Sequence, residues 1–162
     1  NGITTLRSGV PFGPAQHFSG SALSILGGGG GYFGAGGSYD RPDSIAGCDT
    51  SAHGSPAYRA THGWFNTACF APVPSNEVRF GNAPRNVSDI RLDPMDNWDI
   101  SLSKRNSITE SVYLQFTAEF FNAFNHPRFG APDNFVGDST FGIVTSQANP
   151  ARAIQFGLRV GF

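Results

Sequence analysis

The residues from Gln155 to Phe162 alternate strictly between polar residues or glycine and apolar side chains, in the order Gln-Phe-Gly-Leu-Arg-Val-Gly-Phe. Alternation with a period of two predicts a β-strand with two chemically different faces. The printed chain then stops on an aromatic residue. An exposed terminal Phe adds little stability to a water-soluble domain, because chain ends usually fray in water. A membrane strand benefits, since its outer face meets lipid and aromatic residues favour the lipid–water interface.

Three further stretches are predicted to form strands. Residues 97–104 and 112–120 alternate in the same way, and residues 2–12 are rich in Thr, Ile and Val and end near Pro11. With the final strand, at about 153–162, the three clearest strands have about 8–10 residues, near the length that crosses a bilayer when tilted. These lengths favour a membrane sheet, although periodicity alone leaves a water-soluble β-sandwich open.

Two long connections separate these strands, over residues 13–94 and 122–150, whereas the turn between the second and third strands is short. The composition suits turns and strands better than helices, with 21 Gly, 11 Pro and 15 Phe. Long connections are unusual in compact domains but normal outside the cell in membrane barrels. The predicted fold is therefore all-β: an antiparallel meander of about four strands, the C-terminal part of a transmembrane β-barrel, with two long extracellular loops.

The two faces of these strands differ in chemistry. Bulky apolar residues share one face, and we expect Leu114, Phe116, Phe120, Phe156, Leu158 and Val160 to lie together on one side of the sheet. The charged and polar residues point the other way. A charge facing lipid near the bilayer midplane costs several kcal/mol. We therefore predict that the following residues face the lumen of the barrel: Asp99, Gln115, Glu119 and Arg159.

The charge and the N-terminal sequence exclude several classes of protein. The formal net charge is -1 and no basic cluster occurs, so the chain lacks the electrostatic signature of a nucleic-acid-binding protein. No apolar run is long enough for a membrane helix, and the N-terminus lacks the pattern of a signal peptide. Because Asn1 stands where an initiator Met would, we expect the chain to be an excerpt from a longer protein.

Cys48 and Cys69 are the two cysteines of the chain, and both lie in a polar, glycine-rich segment. We expect them to form a disulfide in an oxidising compartment, with two unpaired thiols as the alternative. Together with His53 and His62 they could also be drawn as a metal site. The spacings are too loose for the close ligand pairs of zinc sites, so no metal site is predicted.

No catalytic site or cofactor is predicted either. His126 stands in Asn-His-Pro, where it is expected to shape a loop, because no paired nucleophile accompanies it. Ser139 follows Gly137 and Asp138 as in some serine proteases, but the glycines expected after the serine are missing. Four aspartates lack the spacing of a calcium loop: Asp89, Asp93, Asp96 and Asp99. We therefore expect that the protein is not an enzyme.

The end of the chain resembles the C-terminal signal by which bacterial outer-membrane barrels are recognised for assembly. The fixed positions of that signal are occupied by Gln155, Gly157, Val160 and Phe162. The resemblance implies that the barrel-assembly machinery is a partner and that the protein lies in the bacterial outer membrane.

Five segments, in the same order, resemble TonB-dependent outer-membrane receptors, most closely the group with an N-terminal carboxypeptidase-regulatory-like domain. They are SGVPF at 8–12, RFGNAPRN at 79–86, NWDISLSK at 97–104, LQFTAEFFNAFNHP at 114–127 and IQFGLRVGF at 154–162. The resemblance implies energy-coupled uptake of a large extracellular substrate. It also implies contact with outer-membrane lipid and, through an N-terminal part absent from this chain, with a TonB-type energy-coupling protein.

Two other functions remain open at this point. The first is a secreted all-β adhesin or carbohydrate-binding module whose loop is stapled by the disulfide. The second is a β-rich hydrolase, which ranks last because no acid, base or nucleophile arrangement supports it. The sequence does not identify the transported substrate, because residues 13–78 and 128–150 of the long connections match nothing in the resemblance and the plug lies outside this chain.

Overall fold

The computed structural model describes residues 1–17, 39–77 and 79–162. The described elements are β1 (Gly2–Arg7), β2 (Pro11–Phe12), β3 (Ala15–His17), β4 (Tyr39–Asp40), β5 (Asp43–Ser44), α1 (Pro56–His62), a 3-10 turn (Thr67–Cys69), β6 (Phe70–Ala71), β7 (Val87–Arg91), β8 (Met95–Ser107), β9 (Tyr113–Phe121), β10 (Phe135–Val136) and β11 (Ala153–Gly161). Within the described ranges, no helix is both long and apolar enough to cross a lipid bilayer.

The chain divides into two compact units. The sheet unit contains Asn1–Ser8, Pro94–Arg128 and Gln147–Phe162, and the loop unit contains Gly9–Asp93 and Phe129–Ser146. The sheet unit carries the four long strands, and the loop unit carries the short strands and the helix.

The sheet unit is one four-stranded sheet with the strand order β1-β8-β9-β11. All three pairings are antiparallel. A tight turn joins β8 to β9, where the carbonyl of Val112 accepts hydrogen bonds from the backbone N–H groups of Ile108 and Thr109. The predicted antiparallel meander of four strands is confirmed.

The strand register places the apolar residues on one face, as predicted. Leu158 lies directly opposite Phe116, and Val160 lies opposite Leu114. On the next position, Arg159 lies opposite Gln115. Residues that face each other across an antiparallel pair project on the same side of the sheet. The alternation therefore continues from β9 to β11, with one apolar and one polar face.

The first strand is shorter than predicted. Residues 2–12 were expected to form one strand, but β1 ends at Arg7, opposite Met95. Pro11 and Phe12 pair instead with β7 in the loop unit. Near the break, the chain passes so close to Leu92 that a Cβ atom on Gly9 would lie 1.8 Å from its carbonyl oxygen. That close approach requires glycine, and it marks where the chain leaves the four-stranded sheet.

The connection predicted as a loop over 13–94 contains regular structure and a hydrophobic core; its residues 18–38 and 78 lie outside the described part. Helix α1 begins with Ser55 as N-cap and Pro56 in its first turn, and it ends at Gly63, whose φ is 122°. The core around it is built from side chains at irregular intervals: Ala60, Trp64, Phe65, Cys69, Phe70, Ala83, Ile90 and Val136. Because the spacing is irregular, no periodic pattern in the sequence predicted this core.

The second connection, predicted over 122–150, contributes residues to both units. Its β10 pairs in parallel with β3, with Phe135 opposite Ala15. Within the loop unit, Phe141 packs edge-on against Phe65 with ring centroids 5.3 Å apart. The connection is therefore partly folded into a core, which its many glycines and prolines did not indicate.

Candidate functional site

The apolar face of the sheet unit is open to its surroundings. It consists of Trp98, Ile100, Leu102, Leu114, Phe116, Ala118, Phe120, Ile154, Phe156, Leu158 and Val160. The side chains of Phe156 and Leu158 are 66% and 69% exposed, and Leu102 is 65% exposed. A contiguous apolar surface of this kind is rare in a monomeric soluble protein and marks contact with a partner or a membrane.

Aromatic rings reinforce this apolar face. Phe116 and Phe156 stack across neighbouring strands with centroids 6.0 Å apart. At one end of the sheet, Trp98 packs edge-on against Phe124, and its indole N–H donates to a carboxylate oxygen of Asp96 at 2.8 Å. A tryptophan with an apolar ring and a satisfied polar edge suits the boundary between lipid and water.

Two charged residues of β8 lie at positions whose side chains project to the apolar face. Asp96 lies near the start of the strand, 3.2 Å from Nδ1 of His126. Lys104 lies nearer the other end, directly opposite Phe116. A lysine in this position can lay its aliphatic stem along the apolar surface while its ammonium group reaches the polar boundary.

The polar face carries all four residues predicted to face a lumen. Asp99 accepts a hydrogen bond from the backbone N–H of Asn122 at 2.9 Å. Gln115 donates to the hydroxyl of Ser103 at 3.0 Å and lies opposite Arg159. Glu119 lies opposite Gln155 on one side and Ser101 on the other. The structure therefore brings these side chains onto one surface, opposite the apolar face.

A recess of about 600 Å³ opens at one end of the sheet unit. The groups that line it are contributed by Thr5, Met95, Asp96, Asn97, Asp99, Phe121, Asn122, Arg128, Ala148, Asn149, Pro150, Ala151 and Ala153. The Nε atom of Arg128 is buried without a hydrogen-bond partner in the described structure. Most of the surface that lines the recess is apolar, and a few amides and charges of both signs lie within it.

Asn122 organises the backbone beside this recess and was not among the residues that the sequence pattern singled out. Its side chain is buried, donates to the carbonyls of His126 and Pro150, and accepts from the N–H of His126. Its φ of 49° lies in the left-handed region, which asparagine tolerates better than most residues. The Asn-Ala-Phe-Asn-His run after an alternating strand is the signal that could have indicated this turn. His126 shapes this loop through its backbone, as expected.

The disulfide is present in the loop unit. Cys48 and Cys69 are bonded, and the Cys69 side chain is buried in the hydrophobic core. His62, drawn earlier as a metal ligand, instead stacks on Tyr58 with centroids 4.0 Å apart. Among the described residues, no group of three His, Cys, Asp or Glu side chains is arranged to hold a metal ion.

Two acidic groups of the loop unit have shifted pKa values. Arg79 makes paired hydrogen bonds to both carboxylate oxygens of Asp43, at 2.7 and 2.6 Å, and these bonds lower the pKa of Asp43. The same bonds raise the pKa of Arg79, with a further contribution from Glu77. The backbone N–H of Ser51 lowers the pKa of Asp49. These shifts reflect charged hydrogen bonds that hold loops together, and no catalytic group is implied.

The residues of the predicted assembly signal lie together at the end of the sheet. Gln155, Gly157 and Val160 belong to the edge strand β11, and Phe162 follows that strand with a side chain that is 98% exposed. They are accessible in the sheet unit, and their recognition by an assembly machinery stays a prediction.

A family model for an outer membrane beta barrel domain matches residues 1–155. The chain belongs to this outer-membrane β-barrel family. It is therefore a protein of the bacterial outer membrane. No curated protein and no solved structure gave a significant match.

Membership of this barrel family explains why the apolar face lacks a cover. The strands of such barrels turn an apolar band towards lipid and their other face towards the interior. In a barrel of this class, an apolar face such as the one that carries Leu102, Phe156 and Leu158 needs no second protein layer. A secreted module would have to cover the same face with its own chain, so the outer-membrane assignment disfavours that alternative.

Proposed function

We propose that the chain forms part of the wall of a TonB-dependent transporter that takes up a large extracellular substrate. The single observation that carries this proposal is the series of five sequence segments, in family order, on a sheet of the outer-membrane barrel class. Plugged transporters of this kind have about 22 strands, of which this chain would contribute four. The group with a carboxypeptidase-regulatory-like domain is the subgroup that the segments resemble most.

The polar face supports this proposal because it supplies the inner wall that a transporter needs. Asp99, Gln115, Glu119 and Arg159 would face the lumen, where water or a plug can satisfy their charges and hydrogen bonds. The same strands carry Ser101, Ser103 and Thr117 on this side as well. Such a surface can contact polar groups along its whole length, and this role needs no catalytic residue. We propose that the protein is not an enzyme.

The two long connections would lie outside the cell. If β11 runs towards the periplasm, β9 runs outward and β8 inward, which places residues 13–94 and 122–150 at the extracellular end. The Cys48–Cys69 disulfide is consistent with that placement, since disulfides persist outside the cytoplasm. The loop unit would then make the first contact with the substrate, and the barrel-assembly machinery and a TonB-type protein would be the protein partners.

A genetic comparison tests the proposed transport. The gene for this protein and the gene for the TonB-type protein of the same bacterium are deleted separately, and both strains are grown across an array of carbon, nitrogen and iron sources. A transporter predicts at least one nutrient on which both strains fail and on which plasmid-borne copies restore growth. Deletion of this gene without any defect shared with the TonB-type strain would contradict the proposal.

A binding experiment tests the partner directly. The full-length protein, solubilised in detergent from the outer membrane, should retain the purified C-terminal domain of the TonB-type protein. A porin from the same membrane serves as the control that should not retain it. Equal retention by the porin and by this protein would argue against a specific coupling partner.

A further inference from the structure

The side chain of Tyr113 occupies the space that a side chain at Gly161 would fill. Tyr113 and Gly161 are cross-strand partners on the polar face, at the end of the pairing between β9 and β11. A Cβ atom built on Gly161 would lie 2.2 Å from both Cε1 and Cζ of the tyrosine ring, a distance that real Cβ contacts do not reach. The tyrosine ring therefore lies directly over the glycine backbone.

Gly161 makes room for the tyrosine ring by lacking a side chain, and not by an unusual backbone conformation. Gly161 is not among the glycines with positive φ, so residues other than glycine can adopt its backbone conformation. Gly157 provides an internal comparison, because it lies on the same face of the same strand. A Cβ atom on Gly157 would meet only the Cβ atom of Thr117, at 4.0 Å. Of these two glycines, Gly161 alone is constrained by a neighbouring side chain.

The tyrosine ring is also held from the strand on its other side. The guanidinium carbon of Arg105 lies 3.5 Å from the centre of the Tyr113 ring, which is the geometry of a cation–π contact. Arg105 belongs to β8 and lies opposite Gln115, so it reaches the ring diagonally across the sheet. Arg105, Tyr113 and Gly161 thus connect β8, β9 and β11, and we call these three residues the interstrand lock.

The interstrand lock can specify a register that the alternation of residues leaves ambiguous. A slip of β11 by one residue would turn its apolar side chains to the polar face, so the alternation itself opposes that error. A slip by two residues keeps both faces intact. It would remove Gly161 from beneath the tyrosine ring and, in one direction, place the long side chain of Arg159 there. Any side chain larger than that of glycine beneath the ring would require the ring to move away from its contact with Arg105.

We propose that the interstrand lock determines the register in which strand β11 pairs with β9 during assembly of the barrel. Gly161 is thereby distinct from the predicted recognition positions Gln155, Gly157, Val160 and Phe162: its partner is a side chain of the same protein. The proposal depends on the barrel fold and not on the proposed transport, so the two can fail independently.

The test compares Gly161→Ala with the matched variant Gly157→Ala in the full-length protein, expressed in cells. The folded fraction in the outer membrane is read from heat-modifiable mobility on gels. Overpacking against the ring should lower the ratio of folded to unfolded protein about tenfold for Gly161→Ala and by less than about twofold for Gly157→Ala. Equal behaviour of the two variants would overturn the proposal.

A second variant separates the lock from recognition by the assembly machinery. Replacement of the ring in Tyr113→Ser removes the obstacle, so Gly161→Ala should cause no additional loss in that background. If the assembly machinery reads Gly161 directly, the loss persists in the double variant and the proposal is wrong. This comparison remains decisive even where Gly161→Ala alone fails to assemble.

Register is measured by cysteine cross-linking. The pair Leu114→Cys and Val160→Cys should cross-link in the native register, where these positions face each other. The pair Leu114→Cys and Leu158→Cys should cross-link only after a two-residue slip. In the Tyr113→Ser background we expect the native pair to decrease and the slipped pair to appear. A native pair that is unchanged by Tyr113→Ser would contradict a role in register.

Discussion

Replacing Leu158 by arginine distinguishes lipid from water at the apolar face. Leu158 lies next to the centre of β11, and 69% of its side chain is exposed, so little internal packing is lost. In water, such a surface substitution changes the free energy of unfolding by about 0.5 kcal/mol or less. Against hydrocarbon near the bilayer midplane, an arginine costs about 2–4 kcal/mol. The two environments therefore differ by more than the error of an unfolding experiment.

Thr117→Arg is the matched variant on the opposite face. Thr117 lies opposite Gly157, near the centre of the neighbouring strand β9. Its side chain projects to the polar face, so a new arginine there remains in a polar environment and can approach Glu119, two residues along the strand. We expect Thr117→Arg to cost less than about 1 kcal/mol, in line with ordinary surface substitutions.

The assay is equilibrium unfolding in urea of the full-length protein reconstituted in phosphatidylcholine vesicles. Tryptophan fluorescence and heat-modifiable mobility on gels report the same transition. Leu158→Arg should destabilise the folded protein by at least about 2 kcal/mol more than Thr117→Arg does. Equal costs, or a larger cost for Thr117→Arg, would refute the assignment of the apolar face to lipid.

Three further outcomes are expected in the loop unit. Cys48→Ser removes the disulfide and should lower the stability of this unit by about 3 kcal/mol in the chain-entropy description, measured as the onset of proteolysis with rising temperature. Phe65→Ala removes a buried aromatic ring, from a residue that is 3% exposed, and should cost about 3–5 kcal/mol. Tyr58→Ala removes an exposed ring that stacks on His62 and should cost about 1 kcal/mol or less. Because Arg79 lowers the pKa of Asp43, the pair stabilises the folded loop above the usual pKa of 3.8, and this stabilisation is lost as the pH falls through the lower folded-state pKa. Asp43→Asn should abolish this part of the acid sensitivity in a pH titration of proteolysis.

Each of these outcomes has a clear contrary result. Wild-type protein kept in reductant should resemble Cys48→Ser, and a difference would mean that the serine itself perturbs the core. A Phe65→Ala protein as stable as Tyr58→Ala would contradict the observed core. If proteolysis of Asp43→Asn increases at low pH as much as that of the wild-type protein, the pH dependence comes from other carboxylates.

The sheet unit could be predicted from the sequence because its signals are local. Each alternating stretch reports the two environments of its own strand, so residues 112–120 and 153–162 were located to within one residue of β9 and β11. The polar positions Asp99 and Glu119 followed from the same alternation. The pairing of neighbouring strands then followed from their order along the chain.

The loop unit could not be predicted in this way. Trp64, Phe65 and Ile90 are buried together, yet they lie at irregular intervals and on different elements. The end of β1 at Arg7 was also missed, because residues 2–12 form a continuous strand-like stretch in sequence. The strand pairings and the close approach of Gly9 to Leu92 show where the chain changes its partner.

The sequence by itself determined which residues share the apolar face and which share the polar face, because side chains alternate between the two sides of a strand. The tertiary structure alone decided which residue lies opposite which. Tyr113 and Gly161 are far apart in the chain, and nothing in the sequence predicts their contact. The strand register brings the tyrosine ring over the glycine. The physical reason is that alternation is satisfied by every register that preserves the two faces, whereas steric fit is satisfied by few of them.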